Sequence, residues 1–270
     1  LAGTLTDHFY YKISFRWVYN MHDVEYERSR PGYRASSLMV CSFFLCITLS
    51  ACANNASVTR YVEYQTKTDL RIPLSGVAYI TNGGRSSSQN NHKDRTQRYA
   101  VDIVSLQSET AENEEATNPK SKRFYTGLRR NNESHYCFGR LVVAPGDGLI
   151  YSVKDRFDDN AEVGAKNNRA PLGNHIVINH KNDEYSVIAH LKKDTIRVKP
   201  QQRVKQGDPL GECGNSGRSI RPHVHYHLQT SPLPFHGDGL PIQFRNYYSD
   251  GQKIDRGEPI RGETVAHPDT

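Results

Sequence analysis

The sequence predicts an all-β fold, an antiparallel sandwich or barrel with long surface loops. Three observations carry this. Short strand-like runs recur from Phe138 onward, separated by Gly, Pro and Asn turn residues. No long stretch repeats apolar residues at helical spacing. Finally, Pro222-His223-Val224-His225-Tyr226-His227 alternates polar and apolar residues. The two-residue period of a strand puts His223, His225 and His227 on one face, with Val224, Tyr226 and Leu228 on the other.

Taken in order, Leu70 to Ile80 (LRIPLSGVAYI) is the first apolar β-type run, and Asn82-Gly83-Gly84 ends it. A polar loop, residues 85–97, leads to a strand over Tyr99–Val104. Residues 108–130 are acidic and then basic without apolar periodicity, so they read as a surface insertion. Strands then follow at Leu141–Ala144, Gly148–Val153, His175–Asn179, Tyr185–Leu191, Ile196–Val198, Leu210–Cys213 and His223–Gln229. Turn residues close each of them. No solenoid-type repeat is present, and residues 71–270 are expected to form one β domain.

The chain has 270 residues, a net charge of +6 and a mean hydropathy of −0.72. A basic surface suits a polyanion such as nucleic acid, acidic lipid or a cell-wall polymer. No zinc finger, basic helix or aromatic RNA-binding motif accompanies the charge, so no nucleic-acid partner is expected. Cysteines stand at 41, 46, 52, 137 and 213, and none forms a Cys-x-x-Cys knuckle. In an oxidising compartment Cys137 and Cys213 could pair; otherwise they are two free thiols.

Leu38 to Ala51 (LMVCSFFLCITLSA) is an apolar run preceded by Arg28, Arg30 and Arg34. A bilayer span needs roughly 20 apolar residues, so this run reads as a secretory signal peptide. Its end, Leu49-Ser50-Ala51-Cys52, resembles the lipobox of bacterial lipoproteins. That resemblance implies cleavage before Cys52 and a diacylglycerol on its sulfur. Residues 1–51 are then signal or untranslated sequence, with Met21 or Met39 as the start. Residues 52–70 form a lipid-anchored tether. No Asp follows Cys52, which favours the outer membrane over the inner one.

Asp102 sits among Val101, Ile103 and Val104. A carboxylate in an apolar strand needs a cation or a metal, unless it caps a turn at the strand end. The histidine strand supplies a second ligand, and a catalytic zinc takes three protein ligands and leaves a position for water.

Residues 139–230 resemble the LytM/lysostaphin-type zinc metallopeptidases of bacterial cell walls. The resemblance rests on five blocks in order: Val143-Ala144-Pro145-Gly146-Asp147-Gly148, Gly173-Asn174-His175 through His180, Tyr185 through Leu191, Val204 through Gly211, and Gly214-Asn215-Ser216-Gly217 running into Pro222-His223-Val224-His225. It implies the β-sandwich or barrel of that family, its duplicated hybrid motif, and a Zn2+ cofactor. Asp102 and His225 become zinc ligands, and His190 and His223 become catalytic residues. The family's usual first ligand stands four residues before the aspartate, where this chain has Arg98. His92, ten residues upstream, takes that role in the longer arrangement of a family subset; the alternative is an ordinary loop histidine. His227 is assigned a supporting place behind His225, His175, His180 and His236 structural ones, and His135 is left open.

The implied function is zinc-dependent cleavage of the peptide cross-bridges of peptidoglycan, by a monomer held in the cell envelope on the periplasmic side through its lipid anchor. Two competitors remain. One is a catalytically inactive relative that binds cell wall and regulates another hydrolase. The other is a lipoyl- or sugar-transport-type barrel, which gives no reason for the paired His223 and His225.

Overall fold

The computed structural model describes residues 61, 63–107, 124–126 and 128–268. Cys52, the apolar run before it and most of the 108–130 insertion lie outside the described residues. The described part falls within one compact unit, Ser50–Thr270. It is almost entirely β: among the described residues there is no α-helix, only a 3-10 turn at Asn132–Ser134. No helix among them is long and apolar enough to cross a membrane.

The strands are β1 (Ala78–Asn82), β2 (Val101–Ser105), β3 (Leu141–Val143), β4 (Gly148–Lys154), β5 (Asn174–Asn179), β6 (Tyr185–Leu191) and β7 (Arg203–Val204). They continue with β8 (Pro209–Glu212), β9 (Val224–Gln229), β10 (Gly239–Leu240), β11 (Phe244–Ser249), β12 (Gln252–Gly257) and β13 (Thr264–Ala266). All pairings are antiparallel. The large sheet runs β12-β11-β13-β1-β2-β9-β6-β5-β4-β7, with β10 also on β9, and β3-β8 form a separate ladder.

The histidine strand β9 lies in the middle of the large sheet, between β2 and β6. Strand parity divides the chemistry. Val224, Tyr226 and Leu228 of β9, Val101 and Ile103 of β2, and Ile188 of β6 enter the main core. That core continues through Leu70, Ile72 and Leu74 to Val142 and Leu210 on the β3-β8 side. His225, His227 and Asp102 point from the other face, where Val177, Val187 and Ala189 pack on Leu172. The buried polar groups of the core face are linked: Tyr226 Oη meets Ser186 Oγ at 2.8 Å, and Ser186 meets His180 Nε2 at 2.6 Å. His180 Nδ1 donates to the Asp147 carbonyl.

Several expectations are corrected. The run 70–80 is not one strand. Its first half lies along β3, with Arg71 N–H donating to Pro145 O and Ser75 N–H to Leu141 O, but only the Leu74–Val142 bridge is regular. Pro73 has no N–H to donate, and Gly76 turns the chain at φ 81 before β1 begins. Ile196–Val198 makes one bond to β8, from Arg197 N–H to Leu210 O, and is not a strand. His223 precedes β9 instead of lying in it. The strands after residue 229 had no counterpart in the sequence reading.

Two covalent and polar ties fix the periphery. Cys137 and Cys213 form a disulfide, which closes the open choice between bridge and thiols. Glu184, wholly buried, accepts from Tyr64 Oη at 2.7 Å and from the Lys67 and Thr68 amides at 2.6 and 2.7 Å, and also from Thr68 Oγ1. This carboxylate pins residues 64–68 onto the β5-β6 hairpin.

Candidate metal centre

Register builds the site. Asp102 of β2 stands directly opposite His225 of β9, and Ala189 of β6 opposes His225 from the other side. Cross-strand partners share a face, so Asp102 and His225 meet: His225 Nδ1 lies 2.9 Å from Asp102 Oδ1. His92 arrives from the loop after β1, with Nε2 3.4 Å from Asp102 Oδ2. One donor atom from each of the three falls within 4.8 Å of the others.

Asn90 presents His92. Its Nδ2 donates to three backbone carbonyls, of Gly84, Arg98 and Ala100, which fixes the orientation of the amide. Asn90 Oδ1 therefore accepts, from His92 N–H at 3.0 Å and from His92 Nδ1 at 2.8 Å. Asn82 Nδ2 also lies 3.1 Å from His92 Nδ1, but its two hydrogens serve Asn91 Oδ1 and Asp102 Oδ2, so the shorter contact to Asn90 keeps the proton on Nδ1 and neutral His92 turns a lone pair on Nε2 toward the Asp102 carboxylate. Two lone-pair-bearing atoms facing each other need a cation between or beside them. The donor set thus fits a metal: imidazole and carboxylate are ordinary ligands of a tetrahedral site. Asn82 adds a donor, from Nδ2 to Asp102 Oδ2 at 3.2 Å.

Burial alone would raise the Asp102 carboxyl, but positive charge on His223, and protons on the His225 and His92 nitrogens that face it when no metal is bound, outweigh burial and hold it well below the usual carboxylate range. Burial pushes His225 down and His227 well down from the ordinary histidine value.

Two further imidazoles flank the trio. The ring centroid of His190 lies 4.8 Å from that of His223 and 5.6 Å from that of His225. Strand parity would send His190 to the face opposite Ala189 and away from the site. Its backbone instead takes φ 64, a left-handed conformation that re-aims the ring. His190 Nδ1 donates to Ser216 O at 2.8 Å and His223 Nδ1 to Arg221 O at 2.8 Å. Carbonyls only accept, so both rings carry the proton on Nδ1 and leave Nε2 toward the cleft. Burial, then the charges of His223 and His225, keep His190 well below the ordinary histidine range.

The cleft holds about 700 Å³ and is lined by His92, Asp102, His190, His223 and His225. Lys93, Lys166 and Arg218 stand on its rim with the exposed apolar residues Ile220 and Phe235. Arg98 is not in this lining and stays beside Tyr99, while His135 faces a separate cavity and meets Arg129 O at 3.0 Å. His175 and His236 hold the Gly173 and Pro234 carbonyls. Sequence reading missed Asn90, Asn82, Ser216 and Gln229. Asn82 and Ser216 stood in blocks read as turn signals, and nothing local marked Asn90 or Gln229.

Two imidazoles and a carboxylate on a central β-sheet, with two pinned auxiliary histidines beside them, make a candidate metal centre. Residues 135–237 match the model described as Peptidase family M23. The match includes His190, His223 and His225, while His92 and Asp102 precede it. Over 90 residues the chain is 34% identical to the peptidoglycan DD-endopeptidase ShyA of Vibrio cholerae serotype O1, covering 33% of this chain and 17% of that protein. Over 88 residues it is 41% identical to ShyC of the same organism, a peptidoglycan DD-endopeptidase, covering 33% and 19%. The matches thus span less than a fifth of either relative. A zinc-containing peptidase from Vibrio cholerae superposes with a TM-score of 0.36 at 19% identity, over 70% of this chain and 39% of that one.

Proposed function

We propose that this chain is a zinc endopeptidase that cuts peptide cross-bridges of peptidoglycan. The observation that carries the proposal is the convergence of His92 Nε2, the Asp102 carboxylate and His225 Nδ1, with the Nε2 atoms of His190 and His223 beside them. Those first three residues would hold Zn2+. Bound zinc supplies acidification of water toward neutral pH and polarisation of a peptide carbonyl.

The chain's own residues do the rest. His190, neutral and fixed by Ser216 O, offers its Nε2 lone pair to the proton of the attacking water. The imidazolium so formed returns that proton to the leaving amine. His223 is held in the same sense and reaches the same space, so one imidazole removes the proton while the other steadies charge on the carbonyl oxygen. Lys93, Lys166 and Arg218 outnumber Asp94 around the cleft and favour a peptide bearing carboxylates, as the stem peptides of peptidoglycan do. The names of the relatives support this substrate. A lipid on Cys52 would keep the domain beside the polymer, in the cell envelope with the outer membrane favoured.

The test is to digest purified peptidoglycan with the full chain as isolated, after chelation, and after zinc is restored. Cross-linked fragments should fall to monomers in the first and third digests only. Full activity without metal would sink the zinc mechanism. Stoichiometric zinc without cleavage would leave a wall-binding regulator.

A further inference from the structure

Behind His225, on the side away from Asp102, runs a chain of buried side chains. His225 Nε2 lies 3.0 Å from His227 Nδ1, and His227 Nε2 lies 3.1 Å from Gln229 Oε1. Gln229 Nε2 donates to Ser231 O at 2.6 Å and to Leu233 O at 3.1 Å. His227 and Gln229 are 1% and 0% exposed, so water does not compete for these contacts.

We propose that Gln229 and His227 form a one-way hydrogen-bond relay that sets the tautomer of His225 and turns its Nδ1 lone pair toward the metal position. The direction follows from the far end. Two carbonyls can only accept, so the Gln229 amide presents NH2 to them and its oxygen to His227. An oxygen acceptor requires N–H on His227 Nε2. Neutral His227 then carries a lone pair on Nδ1, which requires N–H on His225 Nε2. Nδ1, 2.9 Å from Asp102 Oδ1, is then the His225 atom open to the metal, and without a metal that contact is bridged by a second proton on Nδ1. His225 is thus fixed in the opposite sense to His92, His190 and His223, whose protons are held on Nδ1.

The relay rests on the metal-site reading for its purpose but not for its test. His227 and Gln229 are positioning residues: they touch neither metal nor substrate. The carbonyls that anchor Gln229 belong to the loop that carries Phe235 to the cleft, so loop and ligand share one amide.

Nitrogen-15 spectra of histidine-labelled full chain should show N–H on Nε2 of both His225 and His227, in the metal-free protein and after Zn2+ is added. Competition with a chromophoric chelator should show His227→Leu and Gln229→Met binding zinc about 10- to 100-fold more weakly than wild type. His227→Gln, which can accept from His225 and donate to Gln229, should restore most of that loss. A His225 ring that carries its proton on Nδ1 alone in the wild-type spectrum overturns the relay, as does wild-type zinc affinity in both His227→Leu and Gln229→Met. Should the variants fail to fold, the wild-type spectrum decides. Should wild type bind no zinc, the metal reading fails while the spectrum still judges the relay.

Discussion

Asn90 is 7% exposed and ties the loop between β1 and β2 to itself through five contacts: three carbonyls accept from its Nδ2, and its Oδ1 accepts twice from His92. Asn90→Ala removes all of them. A hydrogen bond contributes about 1 kcal/mol net, and an orphaned buried group costs about 1–3 kcal/mol. Water entering from the exposed side of the loop relieves some of these groups, so a loss of about 3 kcal/mol is expected in the metal-free protein. His92 loses the acceptor that keeps its proton on Nδ1, and loss of such a partner weakens metal binding about 10- to 100-fold. Urea unfolding in chelator measures the first effect, and zinc competition titration of the folded variant measures the second. Wild-type zinc affinity in folded Asn90→Ala would refute the reasoning that Asn90 presents His92 to the metal.

Four other outcomes follow from the same geometry. His190→Ala and His223→Ala should each retain zinc while peptidoglycan turnover falls about 100-fold or more, the usual scale of a positioned acid–base group; metal analysis beside a digestion assay checks both. Replacing Cys137 and Cys213 with serine frees a 76-residue separation, worth about 4 kcal/mol in the chain-entropy account, and urea unfolding reads the loss. Burial depresses His175 and His180 below their unfolded value of about 6.5, so the stability they contribute is present above that pH. It should be lost as pH falls, by up to about 1.4 kcal/mol per pH unit for each, in a melting series from pH 7.5 to 5. On the lipoprotein reading, Cys52→Ser should release the protein from membranes, as fractionation would show, because only a Cys directly after Leu49-Ser50-Ala51 offers the lipid its acceptor sulfur.

The sequence made the site face legible wherever strand period alone decides direction. His225, His227, Val224 and Tyr226 alternate as expected because β9 is regular and both its neighbours pair in register. His190 was legible only through family likeness: a regular strand would have turned it away, and its left-handed φ has no signature in Ala189-His190-Leu191. His92 was reachable by the same likeness, but Asn90, which orients it, acts through the carbonyls of Gly84, Arg98 and Ala100, and main-chain acceptors leave no mark in a residue pattern. The β11-β12 hairpin went unread for another reason. Asp250-Gly251 is a type I′ turn signal, and both residues take positive φ, yet Gln252 to Gly257 is a largely exposed strand without apolar alternation. Pro73 shows the converse, an apolar run that reads as a strand until the missing N–H is counted.

On the proposed zinc reading His92, and not the residue at 98, completes the metal site. Arg98 keeps its proton at any ordinary pH and has no lone pair to give, whereas His92 Nε2 lies 3.4 Å from the Asp102 carboxylate. Zinc content after dialysis of the full chain, measured beside digestion of purified peptidoglycan, tests this directly. His92→Ala is predicted to lose the metal and the cleavage together, while Arg98→Ala keeps the metal. Zinc retained and peptidoglycan cut at the wild-type rate by His92→Ala would contradict the account.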